Sequence, residues 1–462
     1  MGEEEFYMKK RETLGSRLGF LLLSAGCAIG LGNVWRFPFI TGRNGGGAFV
    51  LVYLIFLLIL GLPVMVMEFS VGRAAQKNLE PAIEELEPKD TKWHLFGHVG
   101  IAGCYLLMMF YSVVSGWIFS YTFKFGKGVF QGMGSEEISN YFGGILQNVP
   151  GQLGWMIFAV ALGFFICSRG LRNGVEGVTK IMMLCLFILM LILSIQSFTM
   201  PGAKEGLKFY LVPDFKRMAE VGVSSVIFDA MGQAFFTLSI GMGSMTIFGS
   251  YINKEHSLTG ESLRIVGLDT MVAIMAGLII FPACFTYDLD LNAGPGLLFV
   301  TLPIIFSEMP GGRFWGSLFF VFMSFAALST LIAVFENIIS YWMDTKGWSR
   351  KKASLINAII LIILSVPCIL GFNIWSGFKP FGLGSNVLDL EDFLVSSTIL
   401  PLGSVVYVFF CTSRYGWGWD GFIKEADSGI GAKFPKKLKF YFKYVLPVLI
   451  LAVFINGYLV KF

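Results

Sequence analysis

Charge is what this chain has least of. Only 14% of its 462 residues are Asp, Glu, Lys or Arg, where a soluble domain carries about 25%. A water-exposed surface of that size cannot be covered by so few charges, so a soluble fold is excluded. Histidine is nearly missing: His94, His98 and His256 are the three, and all fall between apolar runs or at the very end of one, which removes haem and histidine–metal chemistry. The seven cysteines lie in or beside apolar stretches, and no polar loop holds a pair, so no disulfide framework is expected. There is no Asn-x-Ser/Thr acceptor. The first residues, MGEEEFYMKKRETLGSRLG, lack the small-residue cleavage site of a removable signal peptide. No nucleophile elbow, Walker loop or HExxH motif occurs, so an ATP-driven pump or an intramembrane hydrolase has no support.

What the chain does have is apolar sequence: 55% hydrophobic residues and a mean hydropathy of +0.70. A bilayer core takes roughly 20 apolar residues per helix, and backbone groups in lipid must pair within the segment. Apolar runs near 18–41, 47–72, 97–124, 153–168, 177–199, 224–252, 262–286, 313–343, 354–373, 393–411 and 441–460 predict eleven transmembrane helices. The segments that face one side hold 24 of the 35 Lys and Arg. The positive-inside rule then puts the N-terminus in the cytoplasm and the C-terminus outside. The absence of glycosylation sites and disulfides favours a bacterial or archaeal inner membrane.

Two runs are irregular. The first contains SAGCAIGLGNVWRFP, with Gly26, Gly30 and Gly32 ahead of Asn33, Arg36 and Pro38. The sixth contains MGQAFFTLSIGMGSM, with Gly232, Gly241 and Gly243 beside Thr237 and Ser239. Glycine costs about 1 kcal/mol in a helix interior. Its clustering reads either as close helix packing or as unwinding at equivalent points of two inverted five-span halves; polar flanks at both places favour unwinding. A broken helix offers carbonyls to a hard cation and amides to a carboxylate. Asp269, at the start of the seventh run, is a carboxylate where few occur, which marks a cavity, an ion or a buried partner. Glu68 and Glu336 are also within or at the ends of runs, where bonding to broken-helix backbone is an equal reading.

GLGNVWRFP, NGGGAF at 44–49 and GQAFFTLSIGMG closely resemble the signature segments of the neurotransmitter:sodium symporters, in order and at the right intervals. The resemblance runs from about Arg11 to the last span, and is nearer to the eleven-span bacterial amino-acid transporters than to the twelve-span animal ones. It implies an all-α membrane protein with unwound first and sixth helices, a first repeat within 1–200, an inverted second repeat within 220–412, and an eleventh span at 441–460. It implies one sodium held by Ala28, Asn33, Thr237, Asp269 and the substrate carboxylate. A second sodium would lie among Gly26, Ile29, Ala326, Ser329 and Thr330. The substrate amino group would meet Phe236, Thr237 and Ser239; its carboxylate would meet the Leu31 and Gly32 amides and the Tyr111 hydroxyl, beside Ala28. Leu107, Tyr111, Phe236, Met242, Leu331 and Val334 would line the side-chain pocket. An outer gate of Arg36 and Asp392 over Tyr111 and Phe236, and an inner gate of Arg11 and Asp344 near Ser250 and Tyr251, would open alternately.

Three departures from the family pattern refine this. Asp269 stands where leucine-transporting relatives carry Asn. Chloride-dependent members bind an anion nearby, through groups resembling Tyr53, Gln233 and Thr237. A fixed carboxylate implies chloride independence, or a proton returned in exchange for sodium. Gly30 stands where monoamine carriers have Asp, which favours an amino acid, and the uncharged pocket with Met242 favours large hydrophobic or aromatic L-amino acids. Leu184 stands where many relatives have a helix-breaking proline in the fifth span, and Cys27 replaces a more usual Asn. The expected function is sodium-coupled amino-acid import; the rivals are a proton-coupled or uncoupled carrier, and a sensor that binds without translocating.

Overall fold

The computed structural model describes residues 12–288 and 296–462; Arg11 lies outside them. Among the described residues there is no strand, and nine helices are long and apolar enough to cross a membrane. These are the second (Gly47–Ala75), third (Trp93–Lys127), fourth (Val149–Ser168), fifth (Leu171–Phe198), seventh (Leu258–Thr286), eighth (Gly312–Lys346), ninth (Arg350–Leu370), tenth (Val387–Thr412) and eleventh (Tyr441–Lys461) spans. Several extend past the predicted apolar runs, because polar residues at helix ends keep helical geometry. The first span is the pair Arg17–Ala28 and Gly32–Arg43, bent by 54° at the break. The sixth is Val223–Thr237 and Ser244–Gly249; neither half is long enough to cross alone.

Sequence chemistry explains both breaks. The first span opens under Ser16, whose side chain accepts from the Gly19 amide, and restarts in a π-turn over Gly32–Arg36 with Pro38 in the next turn. In the sixth span the chain turns through Ser239, Gly241 and Gly243 at φ of 50°, 98° and 85°, a region costly for residues with a Cβ. Glu68 of the second span holds that turn: its carboxylate accepts from the Gly241 amide and, at 3.1 Å, from the Met245 amide. The glycines also serve packing. A Cβ on Gly241 would fall 2.2 Å from the Leu400 carbonyl, and one on Gly72 would fall 1.8 Å from the Thr246 carbonyl. Unwinding and close approach, read from sequence as alternatives, thus coexist at one place.

The eighth span forms the centre of the bundle, with 83% of its apolar window buried, against 22% for the eleventh at the edge. The fifth span begins in a π-turn over Leu171–Glu176 and then runs unbroken over Gly177–Phe198. Leu184 faces outward on it, 60% exposed, so the mid-span break that proline gives relatives is absent from this conformation.

Candidate functional site

Four spans meet at the two breaks. Asn33, at the restart of the first span, donates through Nδ2 to Asp269 Oδ1 at 2.8 Å and to the Asp269 carbonyl at 3.2 Å. Its Oδ1 accepts from the Gly30 amide at 3.3 Å. Thr237, the last helical residue before the sixth-span break, donates to the Asp269 carboxylate at 3.1 Å. All three side chains are buried. A fully buried carboxylate with only neutral partners is costly unless a cation completes the arrangement. Gln233 donates to the Gly32 carbonyl at 3.3 Å, and the Tyr53 hydroxyl lies within electrostatic reach of Asp269. The carboxylate therefore occupies the neighbourhood of Tyr53, Gln233 and Thr237.

On the other side of the first-span break, Ser329 and Thr330 present hydroxyls to three carbonyls. Ser329 Oγ lies 2.9 Å from the Ala326 oxygen and 3.4 Å from that of Ile29. Thr330 Oγ1 lies 3.3 Å from the Gly26 oxygen and 3.5 Å from those of Ile29 and Ala326. Two hydroxyl protons cannot satisfy the lone pairs of three carbonyls. The surplus of neutral oxygens at one point suits a hard monovalent cation. Gly26 allows this approach, since a Cβ there would lie 3.2 Å from Ser329 Cβ.

Between the two oxygen clusters is a cavity of about 20 Å³, lined by Ala28, Leu31, Gly32, Leu107, Tyr111, Phe236, Ser239 and Met242, and also by Cys27, Gly30, Thr330, Val395 and Leu400. The Tyr111 hydroxyl accepts from the Leu31 amide at 3.3 Å. At about one water in volume, the cavity is closed down, and an occupant must displace side chains. Two expected lining residues are absent from it. Leu331 packs toward the fourth span, its Cβ 3.8 Å from where a Gly163 side chain would begin, and Val334 lies one helical turn beyond Thr330 without reaching the cavity. Helical phase gives the lining position on the eighth span to Thr330. Thr237 likewise points away from the cavity, to Asp269.

Above the cavity, the Arg36 guanidinium sits 4.0 Å over the Phe236 ring and 3.8 Å from Asp392. Ser396 bridges them, accepting from Arg36 at 3.2 Å and donating to Asp392 at 2.7 Å. At the opposite end, Asp344 accepts from the Asn78 amide at 2.8 Å, and Ser250 donates to the Ile247 carbonyl at 2.6 Å. Tyr251 donates to Glu336 at 2.8 Å. Arg350 clamps Glu336 at 2.6 and 3.0 Å and reaches Glu12 at 2.8 Å. Sequence reading missed Arg350 and left Glu336 undecided. The available signal was an acid inside the eighth span with a cation fourteen residues later, at the start of the ninth.

Two broken helices that face each other across a small cavity, with a carboxylate-centred and a neutral oxygen cluster beside it and a gate above, define a helical membrane carrier. The chain belongs to the Sodium:neurotransmitter symporter family, whose pattern it matches over residues 11–129 and 139–462; it is a transporter rather than an enzyme. It is 35% identical over 441 residues to the sodium-dependent transporter YhdH of Bacillus subtilis, covering 96% of each chain. A sodium-dependent transporter of Haemophilus influenzae is 32% identical over 462 residues, covering 97% of this chain and 98% of that one. The human sodium- and chloride-dependent taurine transporter is 27% identical over an alignment of 514 positions, covering 100% of this chain and 80% of that one. Among solved structures, that of MhsT in complex with L-phenylalanine superimposes with a TM-score of 0.87 at 37% identity, covering 97% of this chain and 100% of that one.

Proposed function

We propose that this protein is a sodium-coupled symporter that imports hydrophobic, foremost aromatic, L-amino acids by alternating access. The observation that carries the reading is the cavity at the two breaks. Its Leu31 amide and Tyr111 hydroxyl suit a carboxylate, its Phe236, Leu107 and Met242 walls suit an apolar side chain, and no charged side chain lines it. The L-phenylalanine bound to MhsT, the similar structure, supports the same substrate class.

Two sodium ions are transported with the substrate. Asn33, Thr237, Asp269 and the Ala28 carbonyl hold one, completed by the substrate carboxylate; Gly26, Ile29, Ala326, Ser329 and Thr330 hold the other. Each sodium moving through ~100 mV contributes about 2.3 kcal/mol, and a tenfold gradient adds about 1.4 kcal/mol. Two sodiums therefore supply roughly 7 kcal/mol, an ideal accumulation near 10⁵-fold. Asp269, bonded to Thr237, supplies the negative charge that chloride supplies elsewhere, so transport proceeds without chloride. Arg36 and Asp392 over Tyr111 and Phe236 form the outer gate; Asp344, Ser250, Tyr251 and Arg11 form the inner one, backed by Glu336 and Arg350. Residues 1–200 and 220–412 are the two inverted repeats, with 441–460 appended. The N-terminus is cytoplasmic and the C-terminus is outside.

The test is uptake of radiolabelled phenylalanine, tryptophan and leucine into proteoliposomes, with sodium or choline outside and chloride replaced by gluconate. Sodium-driven accumulation that survives chloride removal is expected. Uptake indifferent to sodium overturns the ion assignment in favour of a proton-coupled or uncoupled carrier, and binding without accumulation moves the function to a sensor.

A further inference from the structure

The segment that leads into the eleventh span is built from alternating lysines and aromatics: KFPKKLKFYFK over 433–443. No Asp or Glu follows Asp427 in the chain. Lys436 pairs with Asp427 at 2.9 Å. Lys439 and Lys443 lie over the rings of Trp419 and Tyr444, at 5.6 and 5.2 Å, and Lys437 is exposed. Phe440 and Tyr444 are exposed beside them, the arrangement of a helix end at a membrane–water interface.

Residues interleaved with these lysines in the chain, Phe434, Pro435, Leu438, Tyr441 and Phe442, line a groove of about 130 Å³. Leu58, Leu62 and Val66 of the second span form one wall, Thr259 at the start of the seventh another, and Leu438 with Tyr441 the third. Tyr441 fixes that third wall by donating to the Ile59 carbonyl at 2.9 Å. Leu58 and Leu438 are each 50% exposed, so the groove opens sideways, where acyl chains lie. Thr259 is the exception in this apolar lining. It is 6% exposed, and its buried hydroxyl has no hydrogen-bond partner, an arrangement that a ligand acceptor relieves.

We propose that the groove binds one anionic phospholipid. An acyl chain lies between the second and seventh spans, the glycerol ester region accepts from Thr259, and the phosphate meets Lys437, Lys439 and Lys443. The components select this occupant: a free anion has no use for the apolar walls, and a neutral lipid has none for the lysines. Basic clusters beside a transmembrane helix attract anionic lipid, each cation contributing about fivefold near a charged surface. Only the assignment to the cytoplasmic leaflet rests on the orientation proposed above. Binding to solubilised protein does not, so the two fail separately.

Native mass spectrometry of the full chain in detergent tests this, with titration by phosphatidylglycerol, by phosphatidylcholine of the same chains, and by glycerol 3-phosphate. Phosphatidylglycerol is expected to bind at least about tenfold more tightly than phosphatidylcholine, and up to roughly a hundredfold if all three lysines contribute in full, and glycerol 3-phosphate not to compete. Lys437→Gln/Lys439→Gln/Lys443→Gln should abolish the preference. Leu62→Trp should fill the groove and weaken both lipids; Thr259→Val, which keeps the side-chain volume, should also weaken both by a few-fold, because the two share the glycerol ester region, while the preference for phosphatidylglycerol is kept. Equal binding of the two lipids, competition by glycerol 3-phosphate, or a preference that survives the triple substitution would each overturn the proposal. So would undiminished lipid binding by both the Leu62 and the Thr259 variants.

Discussion

The guanidinium of Arg36 sits over the Phe236 ring, 4.0 Å from its centroid, so one cation closes the cavity roof and reaches the outer carboxylate Asp392 together. The pair with Asp392 is 3.8 Å long and about one-third exposed, a geometry that contributes about 0–1 kcal/mol to stability. Asp392→Asn is therefore expected to leave Tm nearly unchanged while bound phenylalanine dissociates several-fold faster. Radioligand washout and a thermal melt on the same preparation check this.

Asp269 ties the first, sixth and seventh spans together through Asn33 and Thr237. Asp269→Asn keeps the shape and removes the charge, so uptake should become dependent on external chloride. Asp269→Ala should abolish uptake at any chloride concentration and lower stability by about 1–3 kcal/mol, because the Asn33 amide loses its buried acceptor. Uptake in chloride and gluconate buffers, with thermal melts, separates the two variants.

Thr330 Oγ1 faces the carbonyls of Gly26, Ile29 and Ala326. Thr330→Val keeps the volume and removes the oxygen. The sodium concentration for half-maximal uptake should rise at least about tenfold, the equivalent of ~1.4 kcal/mol. Sodium titration of phenylalanine uptake reads this directly.

Gly30 and Gly32 hold the break open to their neighbours. A Cβ on Gly30 would fall 2.6 Å from Thr330 Oγ1 and 2.8 Å from the Tyr111 hydroxyl, and one on Gly32 would fall 2.7 Å from the Phe236 ring. Forcing in a methyl costs roughly 1–3 kcal/mol. Gly32→Ala should displace Phe236 and Arg36 from the closed position, cutting uptake by at least about tenfold. Tryptic accessibility of the outer face and uptake assays test it.

Glu68 supports the sixth-span break from the second span. Glu68→Gln leaves one acceptor for two amides, and a buried donor without a partner costs about 1–3 kcal/mol. A lower Tm with the sodium dependence of the remaining uptake unchanged is the expected result. A shifted sodium dependence at unchanged Tm would instead make Glu68 part of the ion path.

By itself the sequence determined what depends on local composition. Apolar runs of bilayer length had to be helices, because backbone groups in lipid can pair only within such a segment. Glycine clusters beside Asn33 and Thr237 marked where two of those helices stop, and the signature segments carried the family. Tertiary structure decided what depends on helical phase and on partners distant in the chain. Leu331 and Thr330 are adjacent in sequence, yet a rotation of about 100° between neighbours sends one to Gly163 and the other to the cavity. Glu68 and Glu336 read alike as carboxylates in apolar surroundings. One caps the broken sixth helix and the other anchors Arg350, because a buried carboxylate takes its role from whichever donors the packed bundle brings within reach.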